Sequence, residues 1–271
     1  MPRGSARKRP EYRDVGIVLR SYKLGESDKI LRILTREHGK RSAVAKGVRK
    51  TTSRFGARLE PLTHVQLLVH RGRNMDTVKQ AEIIESFPGV REDLDLYISA
   101  SAMAELADSM TADEEPHPEL FELLEEALRL LDQYPERAAL TRAFFEFRAM
   151  AAAGFELRVG SCAACGKAPG GGGASFSLHM GGLVCEGCLS GGERGAGRLI
   201  ALRPDAVELL AWMGAHRLGE WPEEAPRATA AKEVGALMDG VLEHWMEREF
   251  KTHRVMKEFP HGGAREGTTD G

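Results

Sequence analysis

The chain has 271 residues and carries 38 Lys and Arg against 40 Asp and Glu, a formal net charge of −2 at pH 7. Its hydrophobic fraction of 42% is ordinary for a globular protein, and no stretch reaches the roughly 20 consecutive apolar residues of a membrane-spanning helix. The basic N-terminus lacks the apolar segment of a secretory signal, so we expect a cytoplasmic protein without a membrane partner.

The charges are distributed unevenly along the chain. Residues 1–80 hold 20 basic and 7 acidic side chains, whereas the remainder holds 18 basic and 33 acidic ones. Such an asymmetry indicates a polyanion-binding head on an acidic body. Two merely solvated surfaces are the alternative, but the positive excess follows a strand pattern rather than a tail.

The N-terminal third of the chain is predicted to be a β-barrel. Residues 1–11 have no apolar periodicity and are expected to form a disordered basic arm. From Val15 onwards, apolar residues alternate with others, and four more short apolar runs follow, separated by turn signals. Five short strands with one long connection predict an OB fold over residues 12–87, with an SH3-like barrel as the alternative. The later strands are predicted at 29–35, 41–47, 64–70 and 77–86.

The rest of the chain is predicted to be mainly helical, so the fold class is α+β. Residues 88–158 and 199–258 show apolar residues at helical spacing, with Pro at several boundaries. The polar, Gly-rich tail, residues 259–271, is expected to be disordered. The predicted helices span 94–110, 120–131 and 138–153, and two more follow Pro204 and Arg227.

All four cysteines fall in a Gly-rich insertion, residues 159–198, which is too poor in apolar residues to build an ordinary core. Cys162 and Cys165 form one Cys-x2-Cys pair, and Cys185 and Cys188 form a second pair after nineteen intervening residues. This spacing is typical of structural zinc sites, in which four thiolates complete a tetrahedral shell. The sequence therefore predicts one structural Zn²⁺ with no open position for catalysis.

Other interpretations of the cysteines are weaker. Two disulfides are disfavoured by a cytoplasmic address, and a redox motif does not explain two such pairs. Unrelated core cysteines are not expected in the least apolar part of the chain. His179 could replace one thiolate but is not needed. The zinc deaminase pattern is absent, because neither cysteine pair follows a proline.

A basic segment lies between two predicted strands of the barrel. Residues 40–58 include seven basic side chains and no acidic one, and the next turn adds two more. We expect these cations to line one edge of the barrel and to bind phosphates without sequence preference, unless the segment is only a solvated loop. The predicted DNA-binding residues are Lys40, Arg41, Lys46, Arg49, Lys50, Arg54, Arg58, Arg71 and Arg73.

Aromatic residues are scarce in the same region. Tyr12, Tyr22 and Phe55 are the only ones among the first 80 residues. OB folds that bind single strands tightly stack several bases on aromatic rings. This barrel is therefore expected to hold the DNA backbone more than the bases, as suits a protein that releases its strands as duplex.

Several segments together resemble the N-terminal barrel of the RecO family. They are YRDVGIVL at 12–19, GESDKI at 25–30, LTREHG at 34–39, AKGVRK at 45–50 and LEPL at 59–62. The two cysteine pairs after a helical block are similar to the zinc module of many family members. The resemblance covers residues 12–255.

The resemblance implies a non-enzymatic mediator of DNA repair and homologous recombination in bacteria. Family members bind single- and double-stranded DNA, anneal complementary strands, and associate with RecR and with the C-terminal tail of single-strand-binding protein. They thereby help to load RecA, and they associate with the nucleoid during repair. The family's basic stretch corresponds to residues 40–58 here and its zinc ligands to the four cysteines, and there are no catalytic residues to transfer.

Two other function classes are weighed against this one. A nuclease would need the barrel carboxylates Asp14, Glu26, Asp28 and Glu60, whose spacing does not suggest a two-metal site. No phosphate-binding loop of the G-x4-G-K-[ST] type is present, so ATP use is not expected. A zinc-stabilised adaptor that binds nucleic acid or protein without annealing strands is the remaining alternative.

Overall fold

The computed structural model describes residues 10–168, 173–191, 197–222 and 224–246. The predicted tail and nearly all of the predicted basic arm lie outside these residues. Within the described ranges, no helix is both long enough and apolar enough to cross a lipid bilayer.

The N-terminal strands form a closed five-stranded barrel, which confirms the predicted fold class. The strands are β1 (Glu11–Leu24), β2 (Asp28–Thr35), β3 (Gly39–Ala45), β4 (His64–His70) and β5 (Asp76–Glu85). Their order is β1-β2-β3-β5-β4, with β3 parallel to β5 and β4 returning antiparallel to β1. Because the side chains of a strand alternate between faces, the apolar half of each strand fills the barrel interior.

A helical domain follows the barrel and contains most of the protein's core. A short helix, α1 (Pro88–Glu92), leads into α2 (Leu94–Met110). The Asp93 carboxylate caps the first turn of α2 and accepts hydrogen bonds from the backbone N–H of Asp95 and Leu96. In the apolar stripe of the last helix, Val234, Leu237, Met238, Val241 and Leu242 are fully buried, as expected for a core face, and Trp245 is partly buried. The helices are α1 (Pro88–Glu92), α2 (Leu94–Met110), α3 (Pro118–Gln133), α4 (Ala138–Ala152), α5 (Glu186–Ser190), α6 (Pro204–Ala215) and α7 (Ala228–Met246).

The cysteine-bearing insertion contains a small sheet that packs on the helices. Its strands are β6 (Ala174–Ser177), β7 (Gly182–Cys185) and β8 (Leu199–Leu202), in the order β7-β6-β8. Phe176 and Leu183 are fully buried and join the core of the helical domain. The described part of the insertion is therefore stabilised by packing against the helical core and forms no separate core.

The barrel and the helical domain share a buried contact. Ile17 and Leu34 belong to the helical core rather than to the barrel interior. Gly39, the first residue of β3, has a φ of +70°, and a Cβ there would clash with the carbonyl oxygen of Glu115. Glycine is required at this position both for the left-handed backbone and for the close approach.

Candidate nucleic-acid interface and metal centre

The most exposed basic surface of the barrel is the connection between β3 and β4, here called the cationic loop (residues 46–58). Apolar side chains hold it against the barrel: Val48, Phe55 and Leu59 are buried in the barrel core. Its basic side chains are all exposed to solvent, and they are Lys46, Arg49, Lys50, Arg54 and Arg58. The loop is thus anchored from within and presents cations outward.

Hydrogen bonds fix this loop to the hairpin between β1 and β2. The backbone N–H of Gly47 donates to the Asp28 carboxylate at 2.8 Å, and that of Arg49 donates to the Ser27 carbonyl at 2.9 Å. The Gly47 hydrogen bond, followed by that of Ser27 and by the charges of Lys46 and Lys50, lowers the pKa of Asp28. An ionised Asp28 therefore serves as an acceptor that shapes the loop.

Two of the predicted DNA-binding residues lie elsewhere, at the start of β3. Lys40 is 5% exposed, and its ammonium donates to the Thr111 carbonyl at 2.6 Å and lies 3.1 Å from an Asp108 carboxylate oxygen. Arg41 donates to Asp76 and lies 2.8 Å from a Glu114 carboxylate oxygen. Both side chains join the barrel to the helical domain. Their contact with DNA is still a prediction, and their position in this domain contact does not favour it.

The last two predicted residues lie in the turn between β4 and β5. The Arg71 guanidinium stacks 4.7 Å above the Tyr12 ring, and Arg73 is exposed. The turn is beside the start of β3, because Asp76 pairs with Ala43 and also binds Arg41. At about 3.3 Å per residue, Arg41 is about 16 Å from Lys46 along the strand. The predicted basic residues therefore fall into three groups: the exposed loop, a pair bound to carboxylates near the start of β3, and the turn between β4 and β5.

The sequence analysis did not identify Asp76, whose carboxylate binds Arg41 and Tyr12 beside the turn between β4 and β5. Its carboxylate accepts hydrogen bonds from the Tyr12 hydroxyl at 2.7 Å and from Arg41, and it is 2% exposed. Burial first, and then the hydrogen bond and the negative charge of Asp76, raise the pKa of Tyr12 well above its usual value. No local pattern signals this role, since Tyr12 and Asp76 are 64 residues apart.

The four cysteines converge on one point, as the sequence predicts. Their Sγ atoms all lie within 4.8 Å of one another, and the Cys162–Cys188 and Cys165–Cys185 distances are 3.9 Å. These separations are close to the about 3.8 Å between thiolates around a tetrahedral zinc ion, and far above the about 2.05 Å of a disulfide. The thiols are free, so the group could hold a metal ion.

Local structure positions each pair. The first pair lies in a turn in which the Gly166 N–H donates to the Cys162 carbonyl, with a φ of +74° at Gly166. Cys185 is the last residue of β7 and the N-cap of α5, and Cys188 lies within α5. Burial alone would raise the pKa of Cys162, but the backbone N–H groups of Cys185, Cys165 and Ala164 lower it to about 6. Exposed His179 is not part of this group.

The barrel carboxylates considered for a nuclease do not converge. Asp14 accepts hydrogen bonds from the backbone of Val15 and from the His38 ring, and Glu60 binds Lys29. Within the described residues, the cysteine group is the one cluster of His, Cys, Asp and Glu with metal-binding geometry.

A cleft of about 680 Å³ opens on the helical domain between α6 and the segment before α7. Leu209, Trp212 and Pro222 supply apolar lining, and the charged lining residues are Arg203, Arg227, Asp205, Glu208 and Glu224. The Arg203 guanidinium also binds Glu233 at 2.9 Å.

Comparisons with known proteins agree with this architecture. The model named Recombination protein O N terminal matches residues 9–87, and Recombination protein O C terminal matches residues 91–254. The chain is similar to the DNA repair protein RecO of Nocardioides sp. (strain ATCC BAA-499 / JS614), with 39% identity over 89% of this chain and 97% of the relative. It is 41% identical to the DNA repair protein RecO of Frankia casuarinae over 88% of this chain and 95% of that relative.

Proposed function

Because the chain belongs to the RecO family of DNA repair proteins, we propose that it mediates recombination by binding DNA and annealing complementary strands. The observation that carries this proposal is the cationic loop, whose side chains are exposed while its apolar residues anchor it to the barrel. The anchored backbone presents several charges together without a large loss of chain entropy on binding.

Phosphate contacts explain both the binding and its lack of sequence preference. If the five exposed cations of the loop each contact a phosphate of a single strand, the logarithm of affinity falls with a slope of roughly −3.5 against the logarithm of salt concentration. Bound cations also reduce the repulsion between two DNA strands, so complementary strands meet more often. This chemistry needs no bond cleavage, and we expect no enzymatic activity.

We further propose that the metal held by the cysteines is one Zn²⁺ ion with a structural role. Four thiolates from two Cys-x2-Cys pairs are the donor set typical of closed zinc sites. The ligands would connect the turn after Arg158 to the end of β7, because Cys162 and Cys165 lie in the first and Cys185 in the second. Zinc would thus stabilise the small sheet on the helical core.

The partners are also proposals. In the cytoplasm the protein would associate with the nucleoid during repair, bind RecR, and help to load RecA indirectly. We also propose that it binds the acidic, apolar C-terminal tail of single-strand-binding protein. The cleft beside α6 offers an apolar contact through Leu209 and Trp212, but its carboxylates Asp205, Glu208 and Glu224 do not favour an acidic ligand there.

The test is the annealing of two complementary oligonucleotides without nucleotide, on bare strands and on strands coated with single-strand-binding protein. The wild-type protein is expected to accelerate both reactions. The double variant Lys46→Glu, Arg49→Glu should lose most of this acceleration and much of the DNA affinity, because it reverses two exposed charges of the loop.

The matched control is the double variant Arg217→Glu, Lys232→Glu, which makes the same change of charge at exposed sites on the helical domain. It should anneal strands like the wild type. Equal losses in the two double variants would refute the loop as the binding site. Binding without annealing by the wild type would favour the adaptor alternative.

A further inference from the structure

The barrel surface next to the cationic loop carries a solvent-exposed aromatic ring. We propose that Tyr22 stacks an unpaired DNA base whose phosphates are held by the cationic loop. This inference rests on the proposed DNA-binding function and adds the means by which the protein recognises a single strand.

The strand register places Tyr22 on the outer face of the barrel. Tyr22 lies opposite Ile30 on β2, and Ile30 lies opposite Val44 on β3. The adjacent row, from Leu31 on β2 to Ala43 on β3, points inward and is buried. Since neighbouring residues of a strand face opposite sides, Tyr22, Ile30 and Val44 form a row on the outside.

This row, here called the outer row (Tyr22, Ile30 and Val44), has the shape and polarity of a stacking platform. The tyrosine is 53% exposed, and Leu24, two residues further along the same face, is 39% exposed. Ile30 and Val44 are half-buried beside the ring. A flat aromatic side chain supported by aliphatic neighbours is the surface on which bases stack.

The outer row is close to the basic side chains that would hold the DNA backbone. Val44 precedes Lys46 by two residues, and three adjacent strands place Tyr22 about 10 Å from Val44. The hairpin that carries Tyr22 is fixed to the loop, because the Arg49 guanidinium donates to the Gly25 carbonyl at 3.1 Å. A strand whose phosphates lie on Lys46 and Arg49 can therefore turn a base towards Tyr22.

The other two aromatic residues of the barrel do not offer a ring in this way. Phe55 is 2% exposed and fills the barrel core. Tyr12 donates to Asp76, and its ring lies 4.1 Å from that of His38 and beneath the Arg71 guanidinium. Among the first 80 residues, Tyr22 is thus the aromatic side chain with a largely accessible face.

The occupant follows from the chemistry of the two neighbouring surfaces. Cations select a polyanion, and an aromatic face beside them selects one with exposed ring systems, which in nucleic acids means an unpaired strand. In a duplex the bases are stacked inside and cannot reach the tyrosine. Pairing with a complementary strand would therefore remove the stacking contact and favour release of the product.

The experiment measures binding of labelled oligothymidine, of an abasic oligonucleotide of the same length, and of duplex DNA. Tyr22→Ala is expected to weaken oligothymidine binding about fivefold or more, the lower end of the effect of losing one stacked base. Binding to the abasic strand and to the duplex should not change. The slope against salt should also stay the same, because no cation is lost.

Conservative variants separate stacking from a structural role. Tyr22→Phe should bind oligothymidine like the wild type, whereas Tyr22→Leu, which keeps an apolar side chain without a ring, should bind like Tyr22→Ala. Tyr134→Ala is the control, since Tyr134 is the other exposed tyrosine, 39% accessible, and lies on the helical domain. Thermal unfolding of every variant shows whether it is folded.

The inference is overturned if Tyr22→Leu binds oligothymidine as tightly as the wild type, or if Tyr22→Ala weakens abasic and base-containing strands equally. Either result, obtained while Lys46→Glu, Arg49→Glu still strongly weakens binding, would leave the proposed function intact and would show that the outer row does not bind DNA bases. Loss of binding in neither set of variants would instead overturn the DNA site itself.

Discussion

Two lysines six residues apart in the barrel differ in what surrounds them. The Lys40 ammonium is buried among backbone carbonyls and the Asp108 carboxylate, whereas Lys46 is exposed at the start of the cationic loop. A buried charge that loses its partner is costly, while an exposed one contributes little to stability. The same residue type therefore stabilises the fold at one position and is available to a ligand at the other.

The matched variants Lys40→Met and Lys46→Met test this difference. Lys40→Met should lower the free energy of unfolding by about 2 kcal/mol, because it leaves two backbone carbonyls without their donor, while Asp108 keeps its pairs with Arg20 and Arg32. Lys46→Met should keep the stability of the wild type and make the salt slope of single-strand binding less steep by about 0.7. Denaturant unfolding and salt titrations measure the two effects, and equal stability of the two variants would contradict the assignment.

The buried ring of His64 gives the protein a pH-dependent stability. Burial lowers the pKa of His64, and Arg129 adds to this effect, while Glu125 and Glu85 act in the opposite direction. The unfolded chain therefore takes up a proton near the ordinary histidine pKa of about 6.5, where the folded chain does not. The stability due to the neutral ring is present above that pH and is lost as the pH falls below it.

Denaturant unfolding at pH 7.5 and at pH 5 checks this expectation. The free energy of unfolding should fall less between the two pH values in His64→Leu than in the wild type. His70→Leu is the control, because the His70 side chain is 43% exposed. We expect this substitution to leave the pH dependence of stability unchanged. A fall as steep in His64→Leu as in the wild type would show that other groups cause it.

At the scale of secondary-structure elements, the small sheet depends on its surroundings more than on its own residues. The strands β6, β7 and β8 have four residues each, and Gly182 begins β7. Their stability comes from Phe176 and Leu183 in the helical core and from the Trp245 indole, which donates to the Leu178 carbonyl at 3.1 Å. The cysteine group lies at the C-terminal end of β7, and a bound metal ion would hold that end of the sheet in place.

Cys185→Ser should therefore lower both the zinc content and the thermal stability, and change single-strand affinity little. The substitution removes one thiolate from a set of four, and the cationic loop belongs to a different domain. His179→Ala is the control and should keep about one zinc per chain by atomic absorption, as expected for a closed site of four thiolates. A wild-type protein of normal stability that contains no metal would refute the zinc proposal.

At the scale of the whole molecule, the basic side chains of the barrel form two sets, one paired with the helical domain and one exposed to solvent. Part of the positive excess of the barrel is neutralised by carboxylates of the helical domain, as in the pairs of Arg20 with Glu105 and of Arg32 with Asp108. Arg36 and Glu122 form a further pair between the two domains. The part that stays exposed is concentrated in the cationic loop, so the molecule carries a basic surface although its net charge is −2.

The barrel strands, the long helices and the metal group could be predicted from the sequence because their signals are local, whereas the short strands β6, β7 and β8 were not predicted. A period of two residues marks the strands, helical spacing marks α2 over 94–110, and two Cys-x2-Cys pairs mark the cysteine cluster. In each case the residues that carry the signal are near one another along the chain, so no tertiary contact is needed to interpret it.

Only the tertiary structure decided which cations and which aromatic rings face solvent. Lys40 is paired with residues 68 and 71 positions away, and Tyr12 with one 64 positions away, and no local pattern distinguishes them from Lys46 and Tyr22. The exposure of a side chain depends on which distant surface packs over it. In this protein, packing of the acidic C-terminal end of α2 on the barrel determines which side chains are covered. The sequence by itself therefore determined the barrel strands, the long helices and the cysteine set, and packing between the domains selected the basic surface that stays exposed to solvent.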